Sequence, residues 1–192
     1  MIEINSEELI RAVIALFVIV DPVGLIPIVI SLTSHMQKEE RKKTIKMAVY
    51  VSTILLVAFA LAGQQLLQIF GISLSSFSIA GGLLLLALSF ELLIKGWSAN
   101  DSKDTGVIPL AFPLMAGPGA ITTVILTLES SGFIIALISV GIVSLLVMLT
   151  FYLINPIYRI LGRLGTLIVS KVMAIFIAAI AIEFILKGIS NL

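Results

Sequence analysis

Long uncharged runs dominate the chain. Residues 12–37 carry a single carboxylate, Asp21, and residues 47–90 carry no Asp, Glu, Lys or Arg. A helix rises about 1.5 Å per residue and needs about 20 mostly apolar residues to cross about 30 Å of hydrocarbon. The first run therefore predicts one span at 9–32. The second is 44 residues long and holds two, at 46–69 and 72–94, with Gly63, Gln64, Gln65 and Gly71 marking the turn. Three further runs predict spans at 105–128, 133–155 and 171–189, the fifth ending before Pro156. The polar stretch 95–106 reads as a loop. None of the runs alternates like the roughly ten-residue strands of a membrane barrel. The expected fold is an all-α integral membrane protein of six transmembrane helices.

Composition narrows the function. Apolar residues make up 59% of the chain and charged ones 12%, against about 45–50% and about 25% in soluble domains. Such a chain is neither a soluble enzyme nor a disordered one. Cysteine is absent, which removes disulfides and thiolate chemistry. A net charge of +1 offers no basic excess for nucleic acid. Residues 1–8 hold three glutamates and no basic residue, unlike the positive start of a secretory signal. Ten of the 12 Lys and Arg residues fall on one side of the predicted topology. They are Lys38, Arg41, Lys42, Lys43 and Lys46, then Lys95 and Lys103, then Arg159, Arg163 and Lys171. Only Arg11 and Lys187 fall on the other. The positive-inside rule then places both termini outside the cell membrane.

The chain reads as a duplication. Glu91-Leu92-Leu93-Ile94-Lys95-Gly96 closes the third span, and Glu183-Phe184-Ile185-Leu186-Lys187-Gly188 closes the sixth, 92 residues later. Asp21-Pro22-Val23-Gly24 in the first span lies 96 residues before Gly117-Pro118-Gly119-Ala120 in the fourth. Residues 1–98 and 99–192 thus form two three-span repeats. An odd number of spans makes the second enter the membrane from the opposite side, an arrangement that recurs in secondary transporters.

Proline within a helix removes a donor and clashes with the preceding turn. Spans 1 and 4 should therefore break near mid-membrane, each starting a new half-helix at Pro22 or Pro118 with Asp21 or Gly117 as its cap. A single break would suit a plain kink. Two at repeat-related positions suit a site where half-helix N-termini meet and present N–H groups to an anion. The expected binding residues are Asp21, Pro22, Val23 and Gly24 at the first break. At the second they are Gly117, Pro118, Gly119, Ala120, Thr122 and Thr123, the threonines either reaching a ligand or bonding back to preceding carbonyls. Asp21 is the one carboxylate at mid-span, where ionisable groups are costly and functional by default. It is the expected ion-coupling residue. Glu91 and Glu183 read as i, i+4 partners of Lys95 and Lys187 at the membrane surface. Gly81-Gly82 and Ala178-Ala179 read as close-packing positions, and His35 as a surface residue. No grouping suggests a catalytic residue, metal or cofactor.

These motifs resemble the MarC family of six-span membrane proteins. The likeness runs through Asp21-Pro22-Val23-Gly24-Leu25-Ile26-Pro27, Pro113-Leu114-Met115-Ala116-Gly117-Pro118-Gly119-Ala120-Ile121 and Ala178-Ala179-Ile180-Ala181-Ile182-Glu183-Phe184-Ile185. Leu25 stands where many members carry Asn, and Glu183 where many carry Gln. The resemblance implies a transporter of small neutral amino acids such as glycine and alanine. A zwitterion would place its carboxylate on the N–H groups and its ammonium toward Asp21 or backbone carbonyls, with a proton or sodium ion as the coupling partner. A passive channel and a structural membrane protein are the two other classes that fit the same breaks.

Overall fold

The computed structural model describes residues 5–33, 36–94 and 107–190, with side chains for all of these except 31, 92, 155–163, 166, 167, 169, 170 and 173. Every regular element among them is helical. The predicted loop 95–106, with Lys95 and Lys103, and His35 lie outside the described residues.

Helix α1 (Ser6–Val20) starts at Asn5, whose side chain accepts from the Glu7 amide, and stops at Asp21. Helix α2 (Pro22–Leu32) follows at once. Helix α3 (Lys38–Ile69) begins a full two turns before the predicted span. Its basic opening is not a loop, because Lys, Arg and Glu are good helix formers and Glu39 and Glu40 suit the positive end of the dipole. The turn to α4 (Leu74–Ile94) sits at Gly71, which takes φ 64°. Gly63, Gln64 and Gln65, expected to mark that turn, lie inside α3. There the absent side chain of Gly63 makes room for Ile125 and Phe59.

The fourth predicted span is broken. Helical turn α5 (Val107–Pro109) leads into a π-helical segment, Leu110–Met115, where Phe112 is extended and the Phe112–Pro113 peptide is cis. Helix α6 (Pro118–Ser131) then leaves at 52° to the preceding helix. Gly132, at φ 84°, turns the chain into α7 (Phe133–Tyr152). Only Leu153 separates α7 from α8 (Ile154–Ser190), a single helix of 37 residues. The expected connection between spans 5 and 6 is therefore helix. Pro156 sits in its first turn, where a missing N–H costs no bond. Arg159 and Arg163 fall on this part of α8, and their side chains are outside the described ones.

Four described segments are long and apolar enough to cross a membrane, Ser6–Ile30, Lys38–Ile69, Leu74–Glu91 and Phe133–Tyr152, and the bent pair makes a fifth. The end of α8 runs through the sequence of the predicted sixth span. The core is built from α1, α2, α3, the π segment, α6, α7 and α8, with Leu85 from α4; Leu16, Ile30, Leu110, Ile121, Ile125 and Val140 are almost fully buried. Large side chains such as Ile14, Ile54, Leu83, Leu145 and Phe176 stay exposed, a surface that suits lipid rather than water.

Packing joins helices remote in sequence. The most extensive pairing is α4 with α8, followed by α1 with α7, α2 with α8, and α3 with α7 and α6; consecutive α7 and α8 touch only lightly. Glycine permits the α4·α8 approach. A Cβ on Gly82 would stand 2.7 Å from the Ala181 carbonyl oxygen, and one on Gly188 2.8 Å from that of Ser75. Lys171 adds a charged cap by donating from Nζ to the Leu93 carbonyl oxygen at the end of α4.

Candidate functional site

Asp21 performs two local tasks. Its backbone takes the left-handed conformation, φ 44° and ψ 61°, and its N–H closes α1 by donating to the Phe17 carbonyl oxygen. Aspartate is among the few residues that tolerate this region. Its side chain then caps α2: the Gly24 amide donates to Asp21 Oδ1 at 3.0 Å. Gly24 leaves that carboxylate its room, since a Cβ there would lie 2.1 Å from Oδ2. The N-cap role expected for Asp21 and the first-turn place expected for Pro22 are both present.

The second break is built the same way without a carboxylate. Gly117 is the extended N-cap of α6 and Pro118 its first residue, but Gly117 has no side chain with which to cap. The first turn of a helix has no internal acceptor for its N–H groups. The amides of Gly119 and Ala120 therefore remain available, whereas Gly24 in the first repeat is engaged by Asp21. A Cβ on Gly117 would stand 2.2 Å from the Pro113 carbonyl oxygen, so the tight approach of the two halves of this span requires glycine.

Both breaks open onto one cavity of about 260 Å³. Asp21, Gly24, Gly117, Gly119 and Ala120 line it. Its remaining walls are apolar and include Leu85 of α4 and Ile177 and Phe184 of α8. Gly119 is the narrow point: a Cβ there would lie 2.5 Å from Phe184 Cζ and 3.1 Å from Ile19 Cγ2.

Five predicted residues fall elsewhere. Pro22 is buried at the start of α2, and Val23 is 60% exposed on another face. Pro118 packs on α4, where a Cβ on Gly81 would meet its ring at 1.7 Å. Thr123 bonds back to the Gly119 carbonyl oxygen at 2.8 Å and lines a separate shallow groove with Ile14 and Val18. The Thr122 hydroxyl is buried and meets no hydrogen-bond partner among the described residues. Glu183 and Lys187 form the expected pair at 3.3 Å.

The cavity walls were missed because an apolar side chain within an apolar span carries no mark of its own. One signal was present. Leu85 and Ile177 are separated by the same 92 residues as Glu91 and Glu183, and both are buried at the cavity.

Apolar helices of membrane-crossing length, with two breaks in the chain meeting at one cavity, define a multi-pass integral membrane protein. A model of the MarC family integral membrane protein matches residues 6–192. The chain belongs to this family. It is similar to a UPF0056 membrane protein of Archaeoglobus fulgidus, 38% identical over 92% of this chain and 89% of the relative. It is also similar to the UPF0056 membrane protein YhcE of Escherichia coli, 33% identical over 93% and 90% of the two chains. No solved structure matches.

Proposed function

We propose that the protein is a secondary transporter of small neutral amino acids, of the glycine and alanine kind, working by alternating access with both termini outside the cell. The observation that carries the reading is the pairing of unlike groups on one cavity. Asp21 brings a carboxylate to the first break, and the uncapped start of α6 brings two amides to the second. A zwitterion matches both, its ammonium toward Asp21 and its carboxylate on the Gly119 and Ala120 amides. The cavity is smaller than the roughly 300–1,000 Å³ of drug-sized sites, which suits a small solute. Asp21 is also the group to which a coupling proton, or a sodium ion sharing nearby carbonyls, would bind.

Packing supports an inverted repeat as the moving architecture. Exchanging residues 1–98 for 99–192 converts the α2·α8 contact into α6·α4, and α2·α7 into α6·α3. It converts α1·α7 into contact of the π segment with α3, and leaves α3·α7 and α4·α8 as self-pairs. All of these contacts occur. The α6·α7 contact has no comparable partner between α2 and α3.

Binding and flux measurements test the proposal. Glycine and alanine should raise the melting temperature of the purified protein, because a ligand of the native state stabilises it. In proteoliposomes they should be taken up saturably, and uphill when a proton or sodium gradient is imposed. Flux without saturation or accumulation would make the protein a channel. Absence of any binding would leave it a structural membrane protein.

A further inference from the structure

A second cavity, of about 360 Å³, lies between the start of α3 and the junction of α7 with α8. Lys38, Arg41, Lys42 and Lys46 line one part of it, opposed by a single acid, Glu39. Met148, Phe151 and Ile154 line the other. Arg41 is 6% exposed and donates from Nε and Nη2 to the Thr33 carbonyl oxygen, at 3.3 and 3.1 Å. It locks the end of α2 to α3. Lys42 and Lys46 are exposed and one helical turn apart, on the face that meets the cavity.

We infer that this cleft binds an anionic phospholipid, with the phosphate on Lys42 and Lys46 and an acyl chain along Met148 and Tyr152, above the buried Phe151 and Ile154. Its position fits. Lys46 is the last charge before the uncharged stretch of α3, and Tyr152 at the end of α7 lines the same cleft. Charged and aromatic side chains at this boundary meet the headgroup layer. Basic pockets between helices at that depth favour anionic headgroups. The mixed lining separates a lipid from a free ion, since inorganic phosphate would use the cationic part alone and leave the apolar wall empty. The inference stands on residues remote from the cavity at the helix breaks and does not depend on what is transported.

Native mass spectrometry of the purified protein tests it, with phosphatidylglycerol, phosphatidylcholine of the same chains, and inorganic phosphate as three separate probes. Phosphatidylglycerol should be retained and phosphatidylcholine should not, while phosphate should neither bind nor displace the lipid at millimolar concentration. Lys42→Gln should weaken lipid affinity roughly fivefold and K42Q/K46Q roughly 25-fold, from the usual worth of one lysine near an anionic surface. Lys43→Gln removes the same charge from the same helix outside the cleft and should change affinity less than twofold. K42R/K46R, which keeps both charges, should retain the lipid and guards against a folding defect. Equal losses for K42Q and K43Q would reduce the effect to diffuse attraction and overturn the site. So would equal retention of phosphatidylcholine, displacement by phosphate, or full lipid binding by K42Q/K46Q.

Discussion

The Gly24 amide and the Asp21 carboxylate are 3.0 Å apart, so the one mid-span acid caps the half-helix that begins beside it. Capping and transport draw on different properties of the side chain. Asn caps about as well as Asp and tolerates the left-handed region, while Ala loses about 0.5–2 kcal/mol at a cap. Asp21→Asn should therefore keep its melting temperature and lose or uncouple transport. Asp21→Ala should lose stability too. Normal, unaltered pH-dependent uptake by Asp21→Asn would confine Asp21 to capping.

The contact of Gly119 with Phe184 should govern access to the cavity. A methyl group at Gly119 would fall 2.5 Å from Phe184 Cζ, so the ring must shift, and both residues line the cavity a ligand would use. Gly119→Ala should weaken glycine binding by about tenfold, and Gly119→Val should abolish it while the protein still inserts and purifies. Phe184→Leu should recover part of the loss in Gly119→Ala. Residues in contact couple by about 0.5–3 kcal/mol, so a binding cycle on the four proteins measures the effect. Strict additivity would remove Phe184 from the path.

Val23 provides the contrast. It occupies the position 96 residues before Gly119, yet it is 60% exposed and lines no part of the cavity. Val23→Phe should leave glycine binding within twofold. A large loss would mean that α2 turns this face inward in another state of the transport cycle.

The breaks were legible because each proline follows a residue suited to end one helix and cap the next, Asp21 or Gly117; proline alone is not sufficient, since Pro27 lies inside α2. Asp21-Pro22 and Gly117-Pro118 therefore end up where the chain said they would. Helix lengths were not legible in the same way. Hydropathy marks where a membrane ends, not where a helix ends. Hence α3 starts at Lys38, inside a basic stretch of good helix formers, and α8 passes through the expected connection with Pro156 in its first turn. The outcome at Thr123 was open from sequence, since a hydroxyl serves a ligand and its own i−4 carbonyl equally well, and here it bonds to Gly119. Leu85 and Phe184 shape the cavity by size alone, and size has no signature among residues equally apolar.

Close packing of α4 on α8 makes a stability prediction independent of transport. A side chain at Gly82 must displace the Ala181 backbone, 2.7 Å from the added Cβ. Gly82→Val should destabilise by about 1–3 kcal/mol, the usual cost of overpacking. The exposed neighbour Leu83 should tolerate Val within about 0.5 kcal/mol. Unfolding of the purified proteins in detergent compares the two.

Orientation can be read directly, because the chain contains no cysteine and single cysteines report without background. Ten of the 12 basic residues were assigned inside, and the structure places five of them, Lys38 to Lys46, in the opening turns of α3. Gln37 immediately precedes them, is exposed and makes no capping bond with its side chain, so Gln37→Cys should not disturb the helix start. Asn191 follows Ser190 in sequence, after one further predicted crossing than the α8 opening that carries Arg159 and Arg163. An impermeant thiol reagent applied to intact cells should label Asn191→Cys and not Gln37→Cys. After permeabilisation both should be labelled, which confirms that Gln37→Cys is reactive. The reverse pattern in intact cells would invert the protein in the membrane and place the basic cleft of α3 outside. Labelling of both in intact cells would mean an even number of crossings between them in place of the predicted five, and would remove the odd three-span repeat on which alternating access rests.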